Sequence, residues 1–383
     1  MERDIGVALS GGGSRAAAFH LGCLRALHDR GLLPRVRVVS GVSGGALLAA
    51  LYAYGPRDFA AFDALAQRLL RTGLERALAR RLLTSPRGAQ AALSFASLPV
   101  VTATTVARRT ATAIGIAPDV LTGRGDGPIR LRRVNRTTAF VDVLAERAFA
   151  DRTMAQVTHP GLDVVLTACD LGTGGAVRFG SRMSASSRFG TIIDDVPVAS
   201  AVAASAAYPA FLPALEERYR FRKPTGEEFA RVLLLTDGGV YDNLGLSVLD
   251  VERDEGFTPH VYKVRYVIAC DAGAGPLAPA APHIWPSRMR RVVSIMHARA
   301  QHGERGRLYA AGAAGKLSGF VYAQLGMRDD RLPIPVADLV PREAVAGYPT
   351  NFRAMSREDM GALSTRGEQL VRALLPYYCP SLC

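Results

Sequence analysis

The sequence has few of the features that mark secreted, disulfide-rich or membrane-spanning proteins. It contains five cysteines in 383 residues, none in a C-x-x-C pair, so we expect a reduced protein without a zinc site. No run of eighteen apolar residues is present that would cross a bilayer. The start, Met1-Glu2-Arg3-Asp4, is charged where a secretory signal is apolar, so we expect no signal peptide and a cytoplasmic location.

Lysine is also scarce, and arginine supplies nearly all the positive charge. Only three of the 47 basic residues are lysines, and the formal net charge is +13. Segment 68–136 contains thirteen arginines and three acidic residues, a net charge of +10, around an uncharged, moderately apolar stretch at 88–107. This pattern is typical of a segment on an anionic membrane surface, and a solvated helical insertion is the alternative. We expect no nucleic-acid partner.

The order of strand-like and helix-like segments indicates an α/β protein. Between residues 5 and 55 these segments alternate, as they do in a parallel sheet with crossover helices. We expect an arginine-rich, mostly helical insertion at 57–135 and a mostly helical C-terminal extension at 278–383. Because no repeat or clean linker is visible, we predict one domain over residues 1–383. Further strands are predicted at 162–168, 231–236 and 266–270, and helices at 16–30, 46–54, 198–207 and 364–375.

Two glycine-rich turns lie thirty residues apart, each between a strand-like and a helix-like segment. The second turn, Gly41-Val42-Ser43-Gly44-Gly45, has the G-x-S-x-G form of a nucleophile elbow, with Gly41 and Gly45 relieving crowding around the bend. The first turn, Gly11-Gly12-Gly13-Ser14-Arg15, can aim free backbone N–H groups at an oxyanion. Together they predict half of an acyl-transfer site with Ser43 as the nucleophile, whereas a lone turn serine is commonly a helix cap.

The first turn has a second interpretation, as a dinucleotide-binding loop. Gly11, Gly13 and Ala16 fit the pattern G-x-G-x-x-G/A. That pattern also requires an acidic residue after the second strand, and Ser40-Gly41 stands there instead. We therefore expect no nicotinamide cofactor.

A serine nucleophile needs a base, which the seven histidines do not obviously supply. None of them lies in a turn after a strand with small neighbours. Asp237 ends an apolar strand and precedes two glycines, at the sheet edge where catalytic side chains of parallel sheets gather. The alternative for Asp237 is a turn-capping role, which is common for Asp-Gly pairs.

Four motifs together give the chain a specific resemblance to patatin-like phospholipases. They are the G-G-G-S-R loop at 11–15, the G-V-S-G-G elbow at 41–45, the block at 204–213, and Asp237-Gly238-Gly239, in the family's order and spacing. Asp170-Leu171 with Thr173-Gly174 is similar to a further family element, and the resemblance covers residues 5 to about 273. This chain departs from the family at Ala16, where a glycine is frequent, and in the alanine pair before Tyr208.

The resemblance implies a three-layer α/β/α sandwich with a mainly parallel central sheet. It also implies a Ser–Asp dyad that hydrolyses acyl esters of phospholipids or lysophospholipids without histidine or metal. Ser43 is then the nucleophile and Asp237 the base that activates it. The implied oxyanion hole consists of three backbone amides with an arginine at its edge, from Gly11, Gly12, Gly13 and Arg15.

Several alternatives remain open at the level of the sequence. An α/β-hydrolase would pair Ser43 and Asp237 with one of four histidines, His260, His283, His297 or His302, but that fold places more strands before its elbow. The same site would also serve an acyltransferase or a neutral-lipid lipase. A catalytically silent membrane-docking scaffold is the non-enzymatic alternative. Acyl position, head group, oligomeric state, signal-independent secretion and any activating ligand or protein stay undetermined.

Overall fold

The computed structural model describes residues 2–84 and 135–383, apart from positions 210, 255, 257, 259, 277, 278, 281 and 282. The uncharged stretch 88–107 and most of segment 68–136 therefore lie outside the described residues. The predicted membrane contact of that segment stays a prediction.

Ten strands and nine α-helices are assigned within the described residues. The strands are β1 Ile5–Leu9, β2 Val36–Val42, β3 Asp163–Asp170, β4 Gly175–Gly180, β5 Ser184–Ser186, β6 Gly190–Ile192, β7 Leu215–Arg222, β8 Glu228–Asp237, β9 Tyr266–Asp271 and β10 Gly319–Gln324. The helices are α1 Gly13–Asp29, α2 Gly44–Tyr54, α3 Phe59–Thr72, α4 Glu75–Thr84, α5 Arg136–Leu144, α6 Val198–Ser205, α7 Trp285–Ala313, α8 Arg342–Ala346 and α9 Arg357–Tyr378. None of these helices combines the length and apolar character that crossing a membrane requires.

The strands form one sheet in the order β10-β9-β1-β2-β3-β4-β5-β6-β7-β8. The first five of these are parallel to one another, and the remaining neighbours pair antiparallel. Helices cover both faces of the parallel strands, so alternate strand residues enter different cores. Val7 and Leu9 pack with α1 and α2, whereas Ala8 packs with Leu308 and Ala311 of α7. The predicted α/β fold with a central sheet between helical layers is confirmed.

The strands and helices predicted from the sequence are present, with ends shifted by a few residues. The prediction missed β10, which pairs in parallel with β9 and brings the C-terminal region into the sheet. It also missed the antiparallel strands β4 to β7, of which β5 and β6 contain only three residues each and present no clear alternation.

Helix α9 packs against α1 through direct backbone contact at two glycines. A side chain at Gly22 would overlap the Ser364 carbonyl, and one at Gly367 would overlap the Phe19 carbonyl. Arg366 of α9 is fully buried and donates hydrogen bonds to main-chain carbonyls, including that of Leu325 directly after β10. The C-terminal region is therefore packed into the same core as the strands near the N-terminus.

Because of this close approach, we expect a glycine-to-alanine substitution to change the free energy of unfolding in opposite directions at two positions in α9. Gly367→Ala should lower the free energy of unfolding by about 1–3 kcal/mol, because the added methyl group has no space. Gly361→Ala should raise it by about 0.5–1 kcal/mol, because Gly361 faces open space and alanine favours the helix. Denaturant unfolding of both variants measures the difference, and equal effects would contradict the observed contact.

Candidate active site

One edge of β3 is shared by two strands that meet end to end. Along this edge β2 pairs as far as Thr167, which lies opposite Val42. The next residue, Ala168, lies opposite Asp237 of β8, and β4 occupies the other edge. Because β2 is parallel and β8 antiparallel to β3, their carboxyl ends face each other. Ser43, directly after β2, and Asp237, the last residue of β8, therefore come together at the centre of the sheet.

Ser43 has the backbone geometry of a strained elbow between β2 and α2. Its φ of 53° is in the left-handed region, which is costly for a residue with a side chain. The Ser43 amide donates to the Ser205 hydroxyl at 3.0 Å, and that hydroxyl donates to the Thr167 carbonyl at 2.6 Å. Ser205 of α6 thus links the elbow to β3. It belongs to the block at 204–213, but the sequence did not indicate this role.

The two glycine-rich turns touch each other backbone to backbone. A side chain at Gly44 would overlap the main chain of Gly13, and one at Gly45 would overlap the carbonyl of Leu9. A side chain at Gly41 would crowd the start of α2. Glycine at these positions therefore allows the first turn to lie directly against the elbow.

The three amides of the first turn are not equivalent. The Gly11 amide donates to the Asn243 carbonyl at 2.9 Å, so this N–H is already occupied. Within the described part of the chain, the hydrogen bonds include none donated by the Gly12 or Gly13 amide. Both glycines have a positive φ, and Gly13 begins α1. The predicted oxyanion-donor role is thus geometrically open to Gly12 and Gly13, and Gly11 instead anchors the loop to Asn243.

Arg15 lies beside this turn and connects it to the C-terminal region. Its Nη1 donates to the Tyr348 carbonyl at 2.9 Å, while the Ser14 amide donates to the Asn351 carbonyl at 2.7 Å. Burial lowers the pKa of Arg15, and the nearby Asp271 carboxylate opposes this effect. Sequence analysis missed Asn243 and Asn351, because each acts through its backbone and leaves no residue pattern.

Asp237 is almost completely buried at the end of β8. Its Oδ1 accepts a hydrogen bond from the Gly239 amide at 2.7 Å, and Oδ2 has no partner among the described residues. Burial raises the pKa of Asp237 to about 6, while the Ser43 hydroxyl and the Gly239 amide lower it. The described hydrogen bonds include none between the Ser43 hydroxyl and this carboxyl group. The Asp237 amide donates to the carbonyl of Ala207, at 3.1 Å.

The described hydrogen bonds join no histidine to Ser43 or Asp237. His20 is buried against the Cys270 carbonyl, and His260 against the Met183 carbonyl. Burial lowers the pKa of His20 to about 3 and that of His260 to about 4, so both are neutral at physiological pH. In the part of the chain that is described, no three His, Cys, Asp or Glu side chains form a metal-binding group.

An apolar groove of about 250 Å³ lies between α4, α5 and the segments that contain Phe211 and Phe352. Phe352 in its wall directly follows Asn351, which contacts the first glycine turn, and Leu212 lies five residues after Ala207, which accepts the hydrogen bond of the Asp237 amide. The wall is mainly aliphatic and aromatic, with Leu74, Leu78, Phe140, Phe211, Leu212 and Phe352. These residues come from four separate parts of the chain, so the sequence alone did not reveal the groove.

The comparison with the solved structure of one human phospholipase agrees with this architecture. Human GIVD cytosolic phospholipase A2 is 12% identical, with a TM-score of 0.54, and the match covers 97% of this chain but 61% of that one. VipD from Legionella pneumophila is 15% identical with a TM-score of 0.43, covering 98% of this chain and 67% of that one. This chain therefore spans about three fifths of the human enzyme's chain. A search of curated proteins finds no significant match.

The family comparison covers the part of the chain that builds the site. The family profile described as patatin-like phospholipase matches residues 7–250, which include both glycine turns, the block at 204–213 and Asp237. This match extends over well over half of the 383 residues. The chain therefore belongs to the patatin-like phospholipase family, a family of lipid hydrolases.

Proposed function

We propose that this protein cleaves carboxyl esters of phospholipids or lysophospholipids through a Ser43–Asp237 dyad and an acyl-enzyme intermediate. The observation that supports the dyad most is the meeting of β2 and β8 on one edge of β3. It brings a strained serine next to a buried carboxyl group that has one unpartnered oxygen. The proposal needs no metal or cofactor.

In the acylation step the Ser43 hydroxyl attacks the ester carbonyl carbon while Asp237 Oδ2 accepts its proton. The tetrahedral intermediate collapses, the bond to the alcohol breaks, and Asp237 returns the proton to the leaving oxygen. Water then attacks the acyl-enzyme, giving a proton to Asp237 that later restores the Ser43 hydroxyl. The products are a fatty acid and the deacylated lipid.

The oxyanion formed in each step needs hydrogen-bond donors beside Ser43. We assign this role to the Gly12 and Gly13 amides, which lie at the positive end of α1 and have no acceptor among the described residues. Gly11 keeps the loop in place through Asn243, and Arg15 adds positive charge at the loop's edge.

The apolar groove is our candidate site for the acyl chain. Two of its walls continue segments that contact the site: Phe352 follows Asn351, which contacts the first glycine turn, and Leu212 lies five residues after Ala207, which accepts a hydrogen bond from the Asp237 amide. An apolar wall favours a hydrocarbon chain because burial removes both surfaces from water.

The dyad predicts that two substitutions abolish ester hydrolysis while histidine substitutions do not. Ser43→Ala and Asp237→Asn should each lower kcat/KM for a fluorogenic ester by about a thousandfold or more. His283→Asn, His297→Asn and His302→Asn serve as controls and should stay within a few-fold of wild type. Circular dichroism checks that each variant is folded. If one histidine is as essential as Ser43, the dyad assignment is wrong.

The raised pKa of Asp237 predicts the acid limb of the pH profile. Only the ionised carboxylate accepts the Ser43 proton, so kcat/KM should fall about tenfold per pH unit below a pH of about 6. A water-soluble ester avoids effects of pH on lipid aggregates. Activity that stays constant down to pH values well below 6 would contradict Asp237 as the base.

The acyl-groove assignment predicts a selective loss of long-chain substrates. Ala79→Phe fills the groove from α4, so hydrolysis of a long-chain ester should fall about tenfold or more while a butyrate ester is hydrolysed normally. Ala344→Phe, at an exposed position in α8, is the matched control and should leave both rates unchanged. Equal losses on both esters would show that the groove does not hold the chain.

A further inference from the structure

The N-terminal half of α7 exposes an unusual number of large apolar side chains. Among the large hydrophobic residues that are exposed in the described chain, seven lie between positions 284 and 296. Trp285 is 72% exposed and Met296 66% exposed. Isolated exposed apolar residues are ordinary, but a contiguous group of them marks an interaction surface.

Four of these side chains form a stripe along one side of the helix. Trp285, Met289, Val292 and Met296 follow one another at spacings of four, three and four residues, which places them on one face. The C-terminal half of the same helix buries Leu308 against the sheet. The helix is thus anchored at one end and presents an apolar stripe at the other.

The charge beside the stripe is positive. Arg288 and Arg299 are exposed, each three residues from a member of the stripe, and neither has an ion-pair partner among the described residues. No acidic residue occurs between positions 285 and 303. Glu304, the first one, is buried. The surface therefore combines an apolar stripe with unpaired positive charge.

Helix α7 connects the parallel strands β9 and β10, so its N-terminal half begins on the side of the sheet where these strands have their carboxyl ends and the candidate active site lies. Arg305 of α7 stacks on Tyr322, whose hydroxyl donates to Asp271 at the end of β9. The amide of the next residue, Ala272, donates to Ser10, which immediately precedes the first glycine turn. A partner on the stripe would thus approach the carboxyl ends of the parallel strands.

The chemistry of this surface favours an anionic bilayer over a protein partner. Tryptophan prefers the membrane interface, methionine and valine enter the acyl region, and arginine pairs with lipid phosphate groups. In a symmetric dimer the stripe would meet its own copy, and Arg288 and Arg299 would repel their equivalents. We propose that the N-terminal half of α7 docks on anionic phospholipid membranes and turns the active-site edge toward the lipid.

Trp285 allows a direct test because it is the only tryptophan in the chain. Its fluorescence should shift to shorter wavelength when phosphatidylcholine vesicles containing phosphatidylserine are added, and much less with phosphatidylcholine alone. The Ser43→Ala variant should give the same shift, so docking is tested separately from hydrolysis. An emission spectrum that vesicles leave unchanged would overturn the proposal.

Two double variants separate the apolar from the electrostatic contribution to vesicle binding. Met289→Asp with Met296→Asp should reduce vesicle co-sedimentation about tenfold or more, while a water-soluble ester is still hydrolysed at the wild-type rate. Arg288→Gln with Arg299→Gln should weaken binding about twenty-five-fold, since each basic residue at an anionic surface contributes about fivefold.

Matched controls lie on the β7–β8 hairpin, where Val232 and Arg218 are exposed and face each other across the strands. Val232→Asp and Arg218→Gln should leave vesicle binding unchanged. Equal losses in the control and stripe variants would overturn the proposal. Analytical sedimentation gives a second check. A dimer that forms without lipid and is abolished by Met289→Asp would also overturn the proposal, because it would assign the stripe to a second copy of the chain.

Discussion

The site depends on the division of one β3 edge between two strands of opposite direction. β2 runs parallel to β3 and ends beside Thr167, and β8 arrives antiparallel and ends beside Ala168. The carboxyl ends of β2 and β8, which are far apart in sequence, are thus held opposite consecutive residues of β3. Ladder hydrogen bonds set this separation, so the approach of Ser43 to Asp237 does not depend on flexible loops.

The surrounding residues maintain this arrangement against strain and desolvation. The positive φ of Ser43 is supported by its bond to Ser205 and by glycine contacts that exclude any side chain. Burial of Asp237 disfavours the ionised carboxylate, and the hydrogen bond from the Gly239 amide partly offsets this effect. The C-terminal region contributes as well, because Asn351 and Tyr348 hold the helix start that follows the first glycine turn.

The sequence was most informative where chemistry is contained in a short motif. The elbow around Ser43 and the Asp237-Gly238-Gly239 turn could be recognised because each requires a fixed local order of small residues after a strand. Contacts between distant segments leave no such pattern. The occupation of the Gly11 amide by Asn243, the pairing of β8 with β3 and the insertion of β10 therefore emerged only from the structure. The catalytic roles of Ser43 and Asp237 themselves stay predictions.

The most direct test of the dyad is the site and rate of labelling by a fluorophosphonate, followed by mass spectrometry of the peptides. The account predicts one adduct, on Ser43, formed rapidly in the wild-type protein and very slowly in Asp237→Asn. An adduct on another residue, or labelling of Ser43 at the same rate in Asp237→Asn, would contradict the conclusion that Asp237 activates Ser43.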